Sequence, residues 1–215
     1  VPCRKMFHVE HSQRSSGDKP PPDDEIVKNA KESEPMEALE CIRERRSVRR
    51  FSDAPVTREE IKHIVDTARF APTWKDSQTV RYMAVLDPAL KGRIAAEGLM
   101  GFERNAQIVA GAPALILLIT LDGVSGYDKD GVPSTSKGSH WQSFDAGLAA
   151  EAFCLAAHEA GLGTVIMGVF DNDDVCRLAA LPEGQSVSAL IALGRPAETP
   201  AARPRKSVEE LLIWR

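Results

Sequence analysis

The sequence predicts an α+β domain in which helices pack around one sheet. Apolar runs of strand length at residues 113–121, 164–169 and 186–193 are separated by amphipathic or alanine-rich stretches of helical length. Their order is neither a strict strand–helix alternation nor a block of strands, which is the α+β pattern. The length, 215 residues, suits one substantial core.

The first 35 residues stand apart. Pro20, Pro21 and Pro22 lead into Asp23, Asp24 and Glu25, and apolar residues are sparse. This is the composition of a polar arm, flexible or an interface extension. Phe7 stands among polar neighbours, so the apolar core of a signal peptide is not expected there. A single domain is expected over 36–215. Met36, Leu39 and Ile42 recur at helical spacing, and the helix they predict runs into a basic cluster at Arg45. Thr57 and Glu60 form a capping-box pattern ahead of Ile61, Ile64, Val65 and Ala68, and Ala71-Pro72 ends that second helix. A strand is expected over 82–86, a helix from Asp87-Pro88 to Glu97, and another helix over 102–110. The run 113–121 is almost unbroken in apolar residues and should be a central strand covered on both faces. A loop without pattern follows over 122–139, long enough to be functional or mobile. The alanine-rich stretch 141–160 predicts a long buried helix stopped by Gly161. Then come a covered strand over 164–169, a short helix over 173–180, and a strand over 186–193 on which Val187, Ala189 and Ile191 alternate.

Composition excludes several function classes. A net charge of −4 and a pI near 5.8 do not suit a nucleic-acid binder. The longest apolar run, 112–121, falls well short of the roughly 20 residues of a membrane-spanning helix. Four scattered cysteines without a CxxC pair read as thiols of a reducing cytoplasm rather than a disulfide framework or zinc site. Cys3, His8 and His11 lack a fourth ligand, so no metal is expected. There is no P-loop, and Gly161-Leu162-Gly163 lacks the third glycine of a dinucleotide fingerprint. Ser134, Ser136 and Ser139 near His140 lack a nucleophile elbow. His63 and His158 read as ordinary helix residues, and no acid pair stands out.

What remains points to an anion. Arg45, Arg46, Arg49 and Arg50 surround Ser47, and guanidinium forks match phosphate oxygens, although a solvated basic turn has the same composition. Further along come Ala71-Pro72-Thr73-Trp74-Lys75-Asp76-Ser77-Gln78, then Asn105, then Gly161-Leu162-Gly163-Thr164 leading to Met167-Gly168. Leu193-Gly194-Arg195-Pro196 and Arg203-Pro204-Arg205-Lys206 close the chain. With these pieces in this order, residues 36–215 resemble the nitroreductase family of flavin-dependent oxidoreductases. Its members carry an RRSxRxF-like start, an APSxxNxQ-like turn, an LGLG-type segment and an LGxP…RK ending.

The resemblance implies a mainly antiparallel central sheet surrounded by helices, and a homodimer holding FMN at its interface. Arg45, Arg46, Ser47 and Arg49 match positions that bind the FMN phosphate, its ribityl end or the pyrimidine edge of the ring, and Arg205 matches a late basic residue that reaches the phosphate. Pro72, Thr73, Trp74 and Asp76 match the turn that one subunit contributes to the other's flavin, with Trp74 either over the flavin or simply packed. Asp76 departs from the usual asparagine: a carboxylate accepts a hydrogen bond but cannot donate one, and it repels phosphate. Asn105 matches a residue at the polar edge of the ring. Met167 and Gly168 match a strand end whose backbone N–H approaches flavin N5, where glycine permits close approach.

The implied chemistry needs no catalytic side chain: hydride passes from NADH or NADPH to flavin N5 and on to an electron-poor small molecule such as a nitroaromatic or quinone, with ping-pong kinetics. A second reading stays open, an FMN carrier or sensor, or a flavoprotein reduced by a protein donor.

Overall fold

The computed structural model of the protein describes residues 36–215; the expected polar arm, with Cys3, His8 and His11, lies outside them. The described elements are helices α1 (Ala38–Glu44), α2 (Arg58–Ala68), α3 (Pro88–Glu97), α4 (Glu103–Gly111), α5 (His140–Glu159), α6 (Asn172–Leu178) and α7 (Val208–Leu211). They surround strands β1 (Val80–Val85), β2 (Ala114–Leu121), β3 (Gly163–Met167) and β4 (Gln185–Gly194). The strands form one antiparallel sheet in the order β1-β2-β4-β3.

The apolar run of β2 explains the layering. Side chains alternate across a strand, so Ala114, Ile116 and Leu118 pack with α2 and α5 on one face, while Leu115, Leu117 and Ile119 pack with α3, α4 and α6 on the other. Each fully buried Leu or Ile there contributes roughly 1.5–3 kcal/mol relative to exposure, which makes β2 the axis of the domain. Helix starts follow local chemistry. The Thr57–Glu60 capping box is formed at α2. The Asp87 carboxylate accepts from the N–H groups of Ala89 and Leu90 ahead of Pro88 at α3.

Three expectations need correction. The apolar face anticipated on α1 is not buried: Leu39 is 65% exposed and Ile42 is exposed, while Cys41 turns inward and its Sγ donates to Leu155 O at 3.3 Å. A two-turn helix lying on α5 can bury only one narrow side. Next, β3 is an edge strand. Val165 and Met167 are buried but Ile166 is 46% exposed, because nothing among the described residues covers its outer face. Finally, β4 does not alternate through Val187. Leu118 pairs with Ala189 and Ile119 with Val187, so Ser188 is an extra residue and a bulge turns Val187 to the core opposite Ala189 and Ile191. The Ser188 hydroxyl lies 3.0 Å from that of Thr120. Helix α7, with its Ser207–Glu210 capping box, was not anticipated.

Cys41, Cys154 and Cys176 are free thiols. Among the described residues no cluster of side chains could hold a metal, and no helix is long and apolar enough to cross a membrane.

Candidate functional site

The basic cluster lies just beyond α1. Arg45 leaves the helical region (φ −52°, ψ 131°), and the chain runs extended along the outer edge of β3. Ser47 bridges Thr164 in parallel, Val48 N–H donates to Thr164 O at 2.9 Å, and Phe51 bridges Pro196. Gly163 permits this approach: a Cβ there would lie 2.7 Å from Val48 Cγ2 and 2.8 Å from Val48 Cβ, inside van der Waals contact. Arg45 thus caps α1, as expected, and the arginines after it sit on an extended edge segment.

Arg45, Arg46, Ser47 and Arg49 line a cavity of about 390 Å³ with Arg203 and Arg205 from the far end of the chain. Five guanidiniums converge there, and among the described residues no acidic one lines the cavity. Arg46 is braced by donating to the carbonyls of Arg43 and Arg45 at 2.5 and 3.0 Å. Arg49 donates to Ser47 O at 3.2 Å. Among the described residues the buried Arg45 Nε has no hydrogen-bond partner, and Glu151 Oε1 lies 3.7 Å away. Arg50 is drawn off by Glu198, whose carboxylate accepts from its Nε at 2.7 Å. His158 shares an adjacent cavity with Arg45 and Arg46. Burial, then the Arg45 guanidinium, pushes its imidazole below the usual range.

Asn105, Met167 and Gly168 gather at the opposite end of β3, four residues on from Thr164 at Gly168, or about 13 Å at strand rise. Asn105 is 7% exposed and its Nδ2 donates to Val169 O at 3.4 Å, tying α4 to the end of β3. The Met167 side chain is buried among the residues of α3, α4 and α6, so only its backbone is open to a ligand. A Cβ on Gly168 would meet nothing within 4 Å, so no packing within the chain requires glycine there. Arg49 also borders a cavity of about 670 Å³ with Arg104 and Gln107 of α4, which links the basic cluster to the helix that carries Asn105.

Pro72, Thr73, Trp74 and Asp76 are not among the residues lining the arginine cavity. They form a turn against the start of α5, whereas Arg45 faces Glu151 further along that helix. Thr73 Oγ1 accepts from Gln78 N–H at 2.9 Å, and the Trp74 ring lies 4.7 Å from that of Trp141. Lys75, Asp76 and Gln78 all adopt positive φ, at 47°, 54° and 48°. Asp76 accepts from Gln78 Nε2 at 3.2 Å.

Sequence reasoning missed Arg203 and Asp145. Arg203 is one more basic residue in an irregular tail, so only the folded cavity singles it out. Asp145 did leave a trace, as a lone carboxylate beside Ala146 and Ala149 on the most apolar helix of the chain.

With this geometry in hand, comparison with known proteins is informative. The family model described as Nitroreductase family matches residues 42–195. The chain is 30% identical over 175 residues to a protein of Methanothermobacter thermautotrophicus provisionally named NADH dehydrogenase/NAD(P)H nitroreductase, covering 78% of this chain and 82% of that one. It is 28% identical over 170 residues to the NADPH-flavin oxidoreductase of Vibrio harveyi, covering 78% and 69%. A Desulfovibrio desulfuricans protein, solved as a provisionally named nitroreductase in complex with FMN, superposes with a TM-score of 0.64 at 28% identity, covering 83% of this chain and 96% of that one.

Proposed function

The chain belongs to the nitroreductase family, and from that premise we propose that it is an FMN-dependent oxidoreductase that carries reducing equivalents from NADPH or NADH to an electron-poor small molecule, a nitroaromatic or a quinone. The observation that carries this reading is the convergence of Arg45, Arg46, Ser47, Arg49 and Arg205 on one cavity free of acidic lining. Such a cradle fits a phosphate monoester. The open space over Gly168, which no packing within the described residues fills, fits the approach of a flat ring.

When bound, FMN would supply the redox chemistry, hydride transfer from NADPH or NADH to the acceptor with ping-pong kinetics. The protein's own groups bind and orient. The arginines and Ser47 hold the phosphate and ribityl end. Asn105 fixes the segment after Met167 through Val169 O. Ile166 lies on the edge strand β3 and Gly168 just beyond its end, where the backbone would approach a ring edge.

The turn with Pro72, Thr73, Trp74 and Asp76 acts on the flavin of a partner subunit in a homodimer. Support comes from apolar surface left open in the single chain: Leu39 and Ile42 on α1, and Leu211, Ile213 and Trp214 in a tail where Trp214 is 84% exposed. The free thiols fit the cytoplasmic setting we assign to this dimer.

The test is the visible spectrum of the purified protein, the mass of any released chromophore, and anaerobic addition of NADPH or NADH. Bound FMN that bleaches rapidly supports the reductase reading. FMN that stays oxidised moves the reading to a carrier, a sensor or a flavoprotein with a protein electron donor. A protein that neither contains nor takes up FMN refutes it.

A further inference from the structure

Asp145 is 1% exposed in the second turn of α5, and no Lys, Arg or His forms an ion pair with it among the described residues. A buried carboxylate without a cation is costly unless its lone pairs are met. Here they are met by two irregular segments. The Trp74 backbone N–H donates to both carboxylate oxygens, at 3.1 and 3.0 Å, and the Ser125 hydroxyl donates to Oδ2 at 2.6 Å. Ser125 is fully buried at the start of the 122–139 loop.

Both segments need such an anchor. The turn after Trp74 holds three non-glycine residues at positive φ, a strained arrangement that persists only where its surroundings over-determine it. Trp141, one helical turn before Asp145 on the same face of α5, packs its ring on Trp74 and donates Nε1–H to Thr135 of the loop at 2.9 Å. Lys75 reaches from the turn to Asp128 of the loop at 3.4 Å. Turn, loop and helix thus form one network, and its only nine-tenths-buried polar members are Asp145 and Ser125.

We infer that Asp145 is a positioning residue for the acceptor half of the reaction: it holds the Trp74 turn and the 122–139 loop at a fixed spacing and so shapes the surface the acceptor meets. This rests on the functional reading above, in which the turn borders a partner subunit's flavin; the 122–139 loop, tied to that turn, then borders the acceptor.

The experiment compares Asp145→Ala, Asp145→Asn and Ser125→Ala with the parent, each saturated with FMN, in separate reductive and oxidative half-reactions, using p-nitrobenzoate and a benzoquinone as acceptors. Asp145→Ala should lower acceptor kcat/KM about tenfold or more while flavin bleaching by NAD(P)H changes by less than about threefold. Asp145→Asn should restore most of it, since its amide oxygen accepts from Trp74 N–H and its NH₂ donates to Ser125 Oγ. Ser125→Ala, which leaves the Trp74 bonds intact, should produce a smaller loss in the same direction. A readout independent of turnover is the Trp74–Trp141 exciton band in circular dichroism of the apoprotein, lost in Asp145→Ala and kept in Asp145→Asn. Equal losses in both half-reactions, an asparagine variant as impaired as alanine, or unchanged acceptor kinetics in all three would overturn the inference. If Asp145→Ala does not fold, Ser125→Ala with parental acceptor kinetics also overturns it. Failure of the functional reading would be visible separately, in a parent protein whose flavin NAD(P)H does not bleach.

Discussion

Replacing Gly163 by alanine would set a Cβ 2.7 Å from Val48 Cγ2, 2.8 Å from Val48 Cβ and 3.1 Å from Pro196 Cγ. Carbon–carbon contact is comfortable near 3.5–4.0 Å, so Val48 has to retreat by about 0.7 Å or more. It is 5% exposed and its N–H is bonded to Thr164 O, so it cannot swing into solvent without moving the backbone. Overpacking of this kind costs about 1–3 kcal/mol, which for a domain of this size lowers Tm by roughly 2–4 °C per kcal/mol. The functional cost is separate. Ser47 and Arg49 flank Val48 and move with it, and losing one charge-assisted contact of about 1.5–3 kcal/mol would lower FMN affinity roughly 10- to 150-fold. The assay is fluorescence titration of the apoprotein with FMN beside thermal unfolding. Adding Val48→Ala removes the Cγ2 clash but leaves the Cβ contact, so the double variant should recover part of the loss with a measurable coupling energy. A Gly163→Ala protein with parental FMN affinity and parental Tm would refute the argument that this glycine seats the basic segment.

Arg49→Ala should weaken FMN binding by about 1.5–3 kcal/mol, because it removes a cavity-lining guanidinium, while stability in urea changes by no more than about 0.5 kcal/mol. His158 should rise toward its usual pKa when FMN binds, since a phosphate neutralises the Arg45 and Arg46 field; imidazole NMR titration with and without FMN measures this, and an unchanged value would separate His158 from the anion site. Burial raises the Glu60 carboxyl, but hydrogen bonds from Thr57 and the Arg195 guanidinium 2.6 Å away outweigh it and hold it below the usual range. That stabilisation is present above the unfolded-state pKa and is lost as pH falls through the depressed folded value. Glu60→Gln should therefore cost about 0.5–1 kcal/mol at neutral pH, with the gap to the parent closing in acid unfolding curves.

Most elements were legible because local chemistry and periodicity agree in them. Asp87-Pro88 opens α3 as expected, Gly161 (φ +72°) stops α5, and the unbroken run 113–121 is the central strand. Disagreements arise where one residue's role depends on a distant partner. The bulge at Ser188 is set by pairing with β2, which the alternation of Val187, Ala189 and Ile191 does not encode. The faces of α1 and β3 differ from expectation because apolar residues left exposed among the described residues have the same pattern as buried ones.

Residue types alone pointed to an α+β domain past residue 35 and to an anion at a dense arginine motif, and the order of the motifs carried the resemblance to the nitroreductase family, which in turn implied a cofactor in place of a side-chain triad. Composition, spacing and motif order are local along the chain, and what they could not show directly they gave only through that resemblance. Only the tertiary structure decided that Arg203 and Arg205 join Arg45, Arg46 and Arg49 around one cavity, and that the Trp74 turn lies apart from it on the start of α5. Asp145 likewise became the anchor of turn and loop only through folding. The reason is physical: charge and hydrogen-bond convergence depend on distance in space, and residues more than 150 positions apart meet only after the sheet has closed the chain around β2.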